Sequence, residues 1–142
     1  MVAPAGGVGP TGVTELYTAA RAVAVPTIRT VAADLAARAD FDLDAIADLR
    51  MAVDDTCMRL VRLAASDATL SCSFAVRLER IEVTAEVDVK DMMDPLPRGS
   101  FSWWVLQCLT DGVTTLVLPD EAGQGGRVCI MLVKQALTPG LL

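Results

Sequence analysis

Asp54 and Asp55 are the adjacent residues of this sequence best placed to do chemistry, because paired carboxylates raise one another's pKa and can hold a divalent cation or act as a general base. The plainer alternative is an acidic pair on a solvated helix face. Arg59, four residues after Asp55, would then make an i, i+4 ion pair contributing roughly a few tenths of a kcal/mol. Gly123-Gln124-Gly125-Gly126 has the composition of a phosphate loop but precedes a strand-like segment, not a helix N-terminus, so a hairpin turn is expected there. Trp103 and Trp104 lie about 100° apart around a helix and cannot both face a core. One of them should be exposed, as an anchor for a protein partner or packed under a loop. Cys57, Cys72, Cys108 and Cys129 form no C-x-x-C pair and sit among apolar neighbours, which predicts buried reduced thiols, with a redox pair as the alternative.

Composition excludes several chemistries. Among 142 residues there is no histidine, which removes Ser-His and Cys-His nucleophile pairs, imidazole zinc sites and phosphohistidine relays. Four of the ten glycines fall in residues 1–12 and the next is Gly99, so no glycine-rich phosphate loop follows an early strand. With 18 acidic against 12 basic side chains, a net charge of -6 and a pI near 4.5, the chain is poorly suited to a phosphate backbone and better suited to a basic partner. No 18-residue apolar run and no basic segment ahead of an apolar stretch is present, so the reading is a cytoplasmic protein bound to neither membrane nor nucleic acid.

The elements that must position these residues follow from hydrophobic period. Residues 1–12 (MVAPAGGVGPTG) lack periodicity and read as a flexible leader, with one domain over 13–142. A strand is expected over 13–23. From Pro26 to about Arg38, Ile28, Val31, Ala32 and Leu35 recur at helical spacing while Arg29, Asp34 and Arg38 take the exposed face. Asp40-Phe41-Asp42 supplies a turn and an acidic N-cap to a long second helix with the stripe Ile46, Leu49, Val53, Cys57, Leu60, Val61 and Ala64. Beyond Ser66 the period becomes two. Leu70, Cys72, Phe74 and Val76, then Ile81, Val83, Ala85 and Val87, predict two antiparallel strands joined by a hairpin at Arg77-Leu78-Glu79-Arg80. An irregular loop over 89–98 leads to a third helix, capped by Ser100 or Ser102 and ending near Asp111. Strands near 113–118 and 127–134 complete the chain. This order predicts an α+β fold: a two-layer α/β sandwich with its helices on one face of a mixed, mostly antiparallel sheet.

The segments FDLDAIADLRMAVDDTCMRLV (Phe41 to Val61) and GSFSWWVLQCL (Gly99 to Leu109), read together, resemble the anti-sigma factors of the RsbW and SpoIIAB type, most closely the actinobacterial sigma-F branch (RsbW/UsfX), over roughly residues 13 to 135. The resemblance implies a GHKL (Bergerat) domain that dimerises and holds a sigma factor inactive until a STAS-type anti-anti-sigma antagonist competes for it. In many members the domain also phosphorylates that antagonist on serine with ATP and Mg²⁺, which is the alternative function. By the same resemblance the family's catalytic glutamate falls on Asp55 and its Mg²⁺-binding asparagine on Arg59. The adenine-binding aspartate falls on Asp88 or Asp91, the surviving glycine motif on Gly99 and Ser100, and the sigma-contacting arginine on Arg29. Arginine offers donors only and repels Mg²⁺, and VDVKDMMDP carries Met92, Met93 and Pro95 where the family has glycines. The expectation is an anti-sigma factor without a working ATP/Mg²⁺ site and without a resident metal.

Overall fold

A computed structural model describes residues 12–136; the leader assigned to 1–12 therefore lies outside the described residues except for Gly12, and so do residues 137–142. In chain order the elements are β1 (Gly12–Ala19), a 3-10 turn (Ala22–Ala24), α1 (Val25–Arg38), α2 (Leu43–Leu63), β2 (Thr69–Arg77), β3 (Arg80–Val89), α3 (Phe101–Leu109), β4 (Gly112–Pro119) and β5 (Gly126–Gln135). The strands form one sheet in the order β1-β2-β3-β5-β4. Every neighbouring pair is antiparallel, so among the described strands the parallel component of a mixed sheet is absent.

Alternation builds the sandwich. Leu70, Cys72, Phe74 and Val76 of β2 and Ile81, Val83, Ala85 and Val87 of β3 point to one face and are buried, joined there by Val128, Ile130 and Leu132 of β5. Against them α1 presents Val25, Ile28, Ala32 and Ala36, and α2 presents Ala45, Leu49, Ala52, Val53, Cys57 and Leu60. Val31, Leu35, Ile46, Val61 and Ala64 lie at the margins of this core, because the small alanines turn toward the sheet and let the helices approach closely. Pro26 occupies the first turn of α1, where its missing N–H is harmless. Asp42 caps α2 by accepting from the Ala45 N–H at 3.3 Å.

The strand and helix ends shift in two places, and one open alternative is decided. β1 stops at Ala19 because residues 22–24 wind into the 3-10 turn that leads into α1. Ser100, not Ser102, caps α3 by accepting from the Trp103 N–H at 3.1 Å. The helix ends at Leu109, where Thr110 turns extended and its hydroxyl closes back on the Leu106 carbonyl at 2.7 Å. The β2–β3 hairpin turns at Leu78-Glu79 as expected, with Glu79 at φ 61°.

Candidate functional site

α1, α2 and α3 leave between them a groove of about 580 Å³ lined by Arg29, Thr30, Arg50, Met51, Asp54, Asp55, Val105 and Leu109. The helical period of α2 explains its floor: Arg50 and Asp54 are one turn apart on the side facing α1, while Asp55 and Arg59 are one turn apart on the side facing α3. Arg29 of α1 donates through Nη1 to Asp54 Oδ1 at 2.9 Å, spanning the mouth of the groove. The pair is 43% and 38% exposed, so its net energy is small and its guanidinium is accessible.

Asp55 and Arg59 do not form the expected ion pair. The Arg59 guanidinium instead reaches across to α3 and donates through Nη2 to Ser102 Oγ. Asp55 Oδ2 and Arg59 Nε are both buried without a hydrogen-bond partner among the described residues. Burial accordingly pushes the Asp55 carboxyl above its ordinary range, with Asp54 adding to the effect and Arg59 and Arg62 opposing it. Beside them, Gly99 takes the left-handed φ of 86° that lets the chain enter α3 behind Ser100.

Asp88 is not part of this site. Its position on β3 has the opposite parity to Val87 and Val89, so its side chain stands on the outer face of the sheet, bound to Arg127 Nε at 2.9 Å, next to Glu86 bound to the same guanidinium at 2.9 Å. Asp91 lies beyond the strand, exposed, in the loop whose Met92 N–H donates to the Gln124 carbonyl at 2.7 Å. The glycine-rich segment serves that contact: a Cβ on Gly125 would sit 2.6 Å from the Val89 carbonyl oxygen, so the turn needs glycine for close backbone approach. Arg29 and Asp55 therefore line one groove, Arg59 lies outside its lining and reaches Ser102 in the first turn of α3, which Gly99 and Ser100 open, and Asp88 is turned away.

The residues present do not suit magnesium-bound nucleotide. Mg²⁺ asks for oxygen ligands, whereas Arg59 puts a permanent cation at the α3 end, and the one acid next to it is partly desolvated. No cluster of three or more Cys, Asp or Glu side chains among the described residues could hold a metal ion.

Of the two tryptophans, Trp103 packs against the core with Arg98 over its ring at 5.3 Å, and Trp104 is 62% exposed beside Phe101, their ring centroids 6.2 Å apart. Cys57, Cys72 and Cys129 are buried; Cys108, on the outer side of α3, is exposed, contrary to the expectation for all four. Lys134 escaped notice in the sequence. It shares parity with Val128, Ile130 and Leu132, so it points inward, where Nζ donates to the Leu109 carbonyl at 2.9 Å and to Asp48 Oδ2 at 3.3 Å. A single charge at an inward strand position was the signal for it.

No protein-family model matches the chain. It is 42% identical over 114 residues to the anti-sigma-F factor RsbW of Mycobacterium tuberculosis, in strains CDC 1551 and H37Rv, an alignment spanning 77% of this chain and 66% of each relative's length. The crystal structure of the RsbU and RsbW domains of Rv1364c from the same species superimposes with a TM-score of 0.61 at 18% identity, covering 91% of this chain and 34% of that one, which shows a shared fold.

Proposed function

Because the chain belongs to the RsbW family of anti-sigma factors, we propose that it binds an alternative sigma factor of the sigma-F type and keeps it from initiating transcription. The observation that carries the reading is the placement of Arg29 at the mouth of a groove walled by α1, α2 and α3, with its guanidinium accessible. Arg29 contacts the sigma factor, and the apolar lining from Met51, Val105 and Leu109 accepts side chains beside it. A STAS-type anti-anti-sigma protein competes for the overlapping surface and releases the sigma factor, and the chain works as a homodimer. The net charge of -6 favours encounter with a basic DNA-binding partner and disfavours nucleic acid itself.

Magnesium-dependent phosphorylation of the antagonist is not favoured by the residues present. Arg59 engages Ser102, Asp88 faces away from the groove, and Asp91 lies exposed in the loop after β3, where Met92, Met93 and Pro95 stand in place of glycines. The protein acts by stoichiometric binding, without a resident nucleotide or metal. The test is transcription in vitro from a promoter dependent on a sigma-F-type factor. Addition of the chain is expected to silence it in proportion to the sigma factor present, and transcription unaffected by a molar excess would overturn the reading.

A further inference from the structure

α3 is short and anchored along one side only. Leu106 is its one fully buried residue, Trp103 and Leu109 pack at the margin of the core, and Phe101 is 77% exposed. An isolated helix shorter than about 12 residues is marginal in water, so α3 needs support from its neighbours. Two cations add to its apolar contacts. Lys134 of β5 holds the Leu109 carbonyl at the C-terminal end, where the helix dipole favours positive charge. Arg59 of α2 holds Ser102 in the first turn, where the dipole disfavours it. A guanidinium kept in that place, with Nε buried and Asp55 nearby on the same helix, ties α2 to α3 at a point where nothing else does so by hydrogen bond among the described residues.

We propose that Arg59 is a positioning residue that fastens α3 to α2 and so completes the partner groove without any ligand, which makes sigma binding independent of magnesium and nucleotide. The inference rests on the reading of the groove as the partner surface. Val105 and Leu109 of α3 form one wall of that groove, so loosening α3 removes the wall while leaving Arg29 and Asp54 in place. A charged donor to a hydroxyl is worth more than a neutral hydrogen bond, enough for about a tenfold change in a local opening equilibrium.

Two measurements on the full chain test this. Affinity for a sigma-F-type factor is measured with and without Mg·ATP and Mg·ADP; the expected constants agree within about twofold, and a tenfold shift with either nucleotide overturns the proposal. Amide hydrogen exchange is measured in Arg59→Ala, with Ser102→Ala breaking the same bond from the other side should the first variant fail to fold. Exchange is expected to quicken about tenfold in residues 101–109, with little change in β2 and β3, and sigma affinity is expected to fall; Arg59→Lys, which keeps a donor cation, is expected to restore part of both. Unchanged exchange in 101–109 for both Arg59→Ala and Ser102→Ala overturns the clamp. A wild-type chain that binds no sigma factor defeats the family-based reading instead, and the exchange arm still decides whether the clamp exists.

Discussion

Arg29 and Asp54 join α1 to α2 through a 2.9 Å hydrogen bond across the mouth of the groove, 25 positions apart in sequence. Both partners are more than a third exposed, so the bond costs little to break, about 1 kcal/mol or less. Arg29→Glu should therefore shift the thermal unfolding profile only slightly, by the lost surface pair and a screened repulsion from Asp54, while weakening sigma-factor binding by roughly tenfold or more, since the reversed charge removes the donor that the groove offers its partner. Calorimetric titration against the sigma factor, paired with a melting curve, checks both halves. Unchanged affinity would remove Arg29 from the interface.

Asp55 is held above its ordinary pKa chiefly by burial. The folded state then binds a proton more tightly than the unfolded state does, so stability falls as pH rises from the unfolded carboxylate pKa through the folded one. Asp55→Asn removes that loss. The variant should match or exceed the wild type in stability at pH 7, and its advantage should shrink as pH is lowered through about 4. Denaturant titrations of both proteins at several pH values measure this, and an advantage that grows on acidification would contradict the assignment.

The cysteines separate by accessibility. Cys108 is exposed, whereas Cys57 and Cys72 are buried with their sulfurs 3.8 Å apart, and the hydrogen bond to Cys72 together with burial drives the Cys57 thiol far upward. Burial also pushes Cys129 up to about 11. In the native protein at pH 8 a thiol reagent should modify one cysteine quickly, and Cys108→Ser should abolish that phase; the remaining thiols should react only on unfolding. Rapid modification of two or more would show that the core opens more readily than its packing implies.

Phe74 of β2 lies on the inner sheet face with no exposed surface. Phe74→Ala should cost roughly 3–5 kcal/mol, from lost burial and the cavity left behind. Chemical denaturation gives the value. A cost below about 1 kcal/mol would mean that the helices collapse onto the sheet to fill the space.

Most of the fold was legible because period and burial coincide. β2 and β3 alternate cleanly, and α2 carries one long apolar stripe behind an aspartate cap. β1 misled because Arg21 to Val23 are compatible with extended backbone and only the approach of α1 winds the chain into a 3-10 turn. Side-chain placement was legible where a local pattern decided it: Arg29 falls on the accessible side of α1. Arg59 was not, because helical spacing pointed to Asp55 and only the tertiary approach of α3 offers Ser102 instead. The outward side of Asp88 follows from the alternation of β3, whereas its partner Arg127 follows only from the pairing of β3 with β5.

The central claim is that this chain captures a sigma factor by direct binding without nucleotide, and the mass of the native complex with a sigma-F-type factor, recorded in a chelator and without ATP, tests it most directly. The account predicts a stable species whose mass equals whole-number copies of both chains and which is diminished by Arg29→Glu. Two uncombined masses at micromolar concentrations of each protein would contradict it.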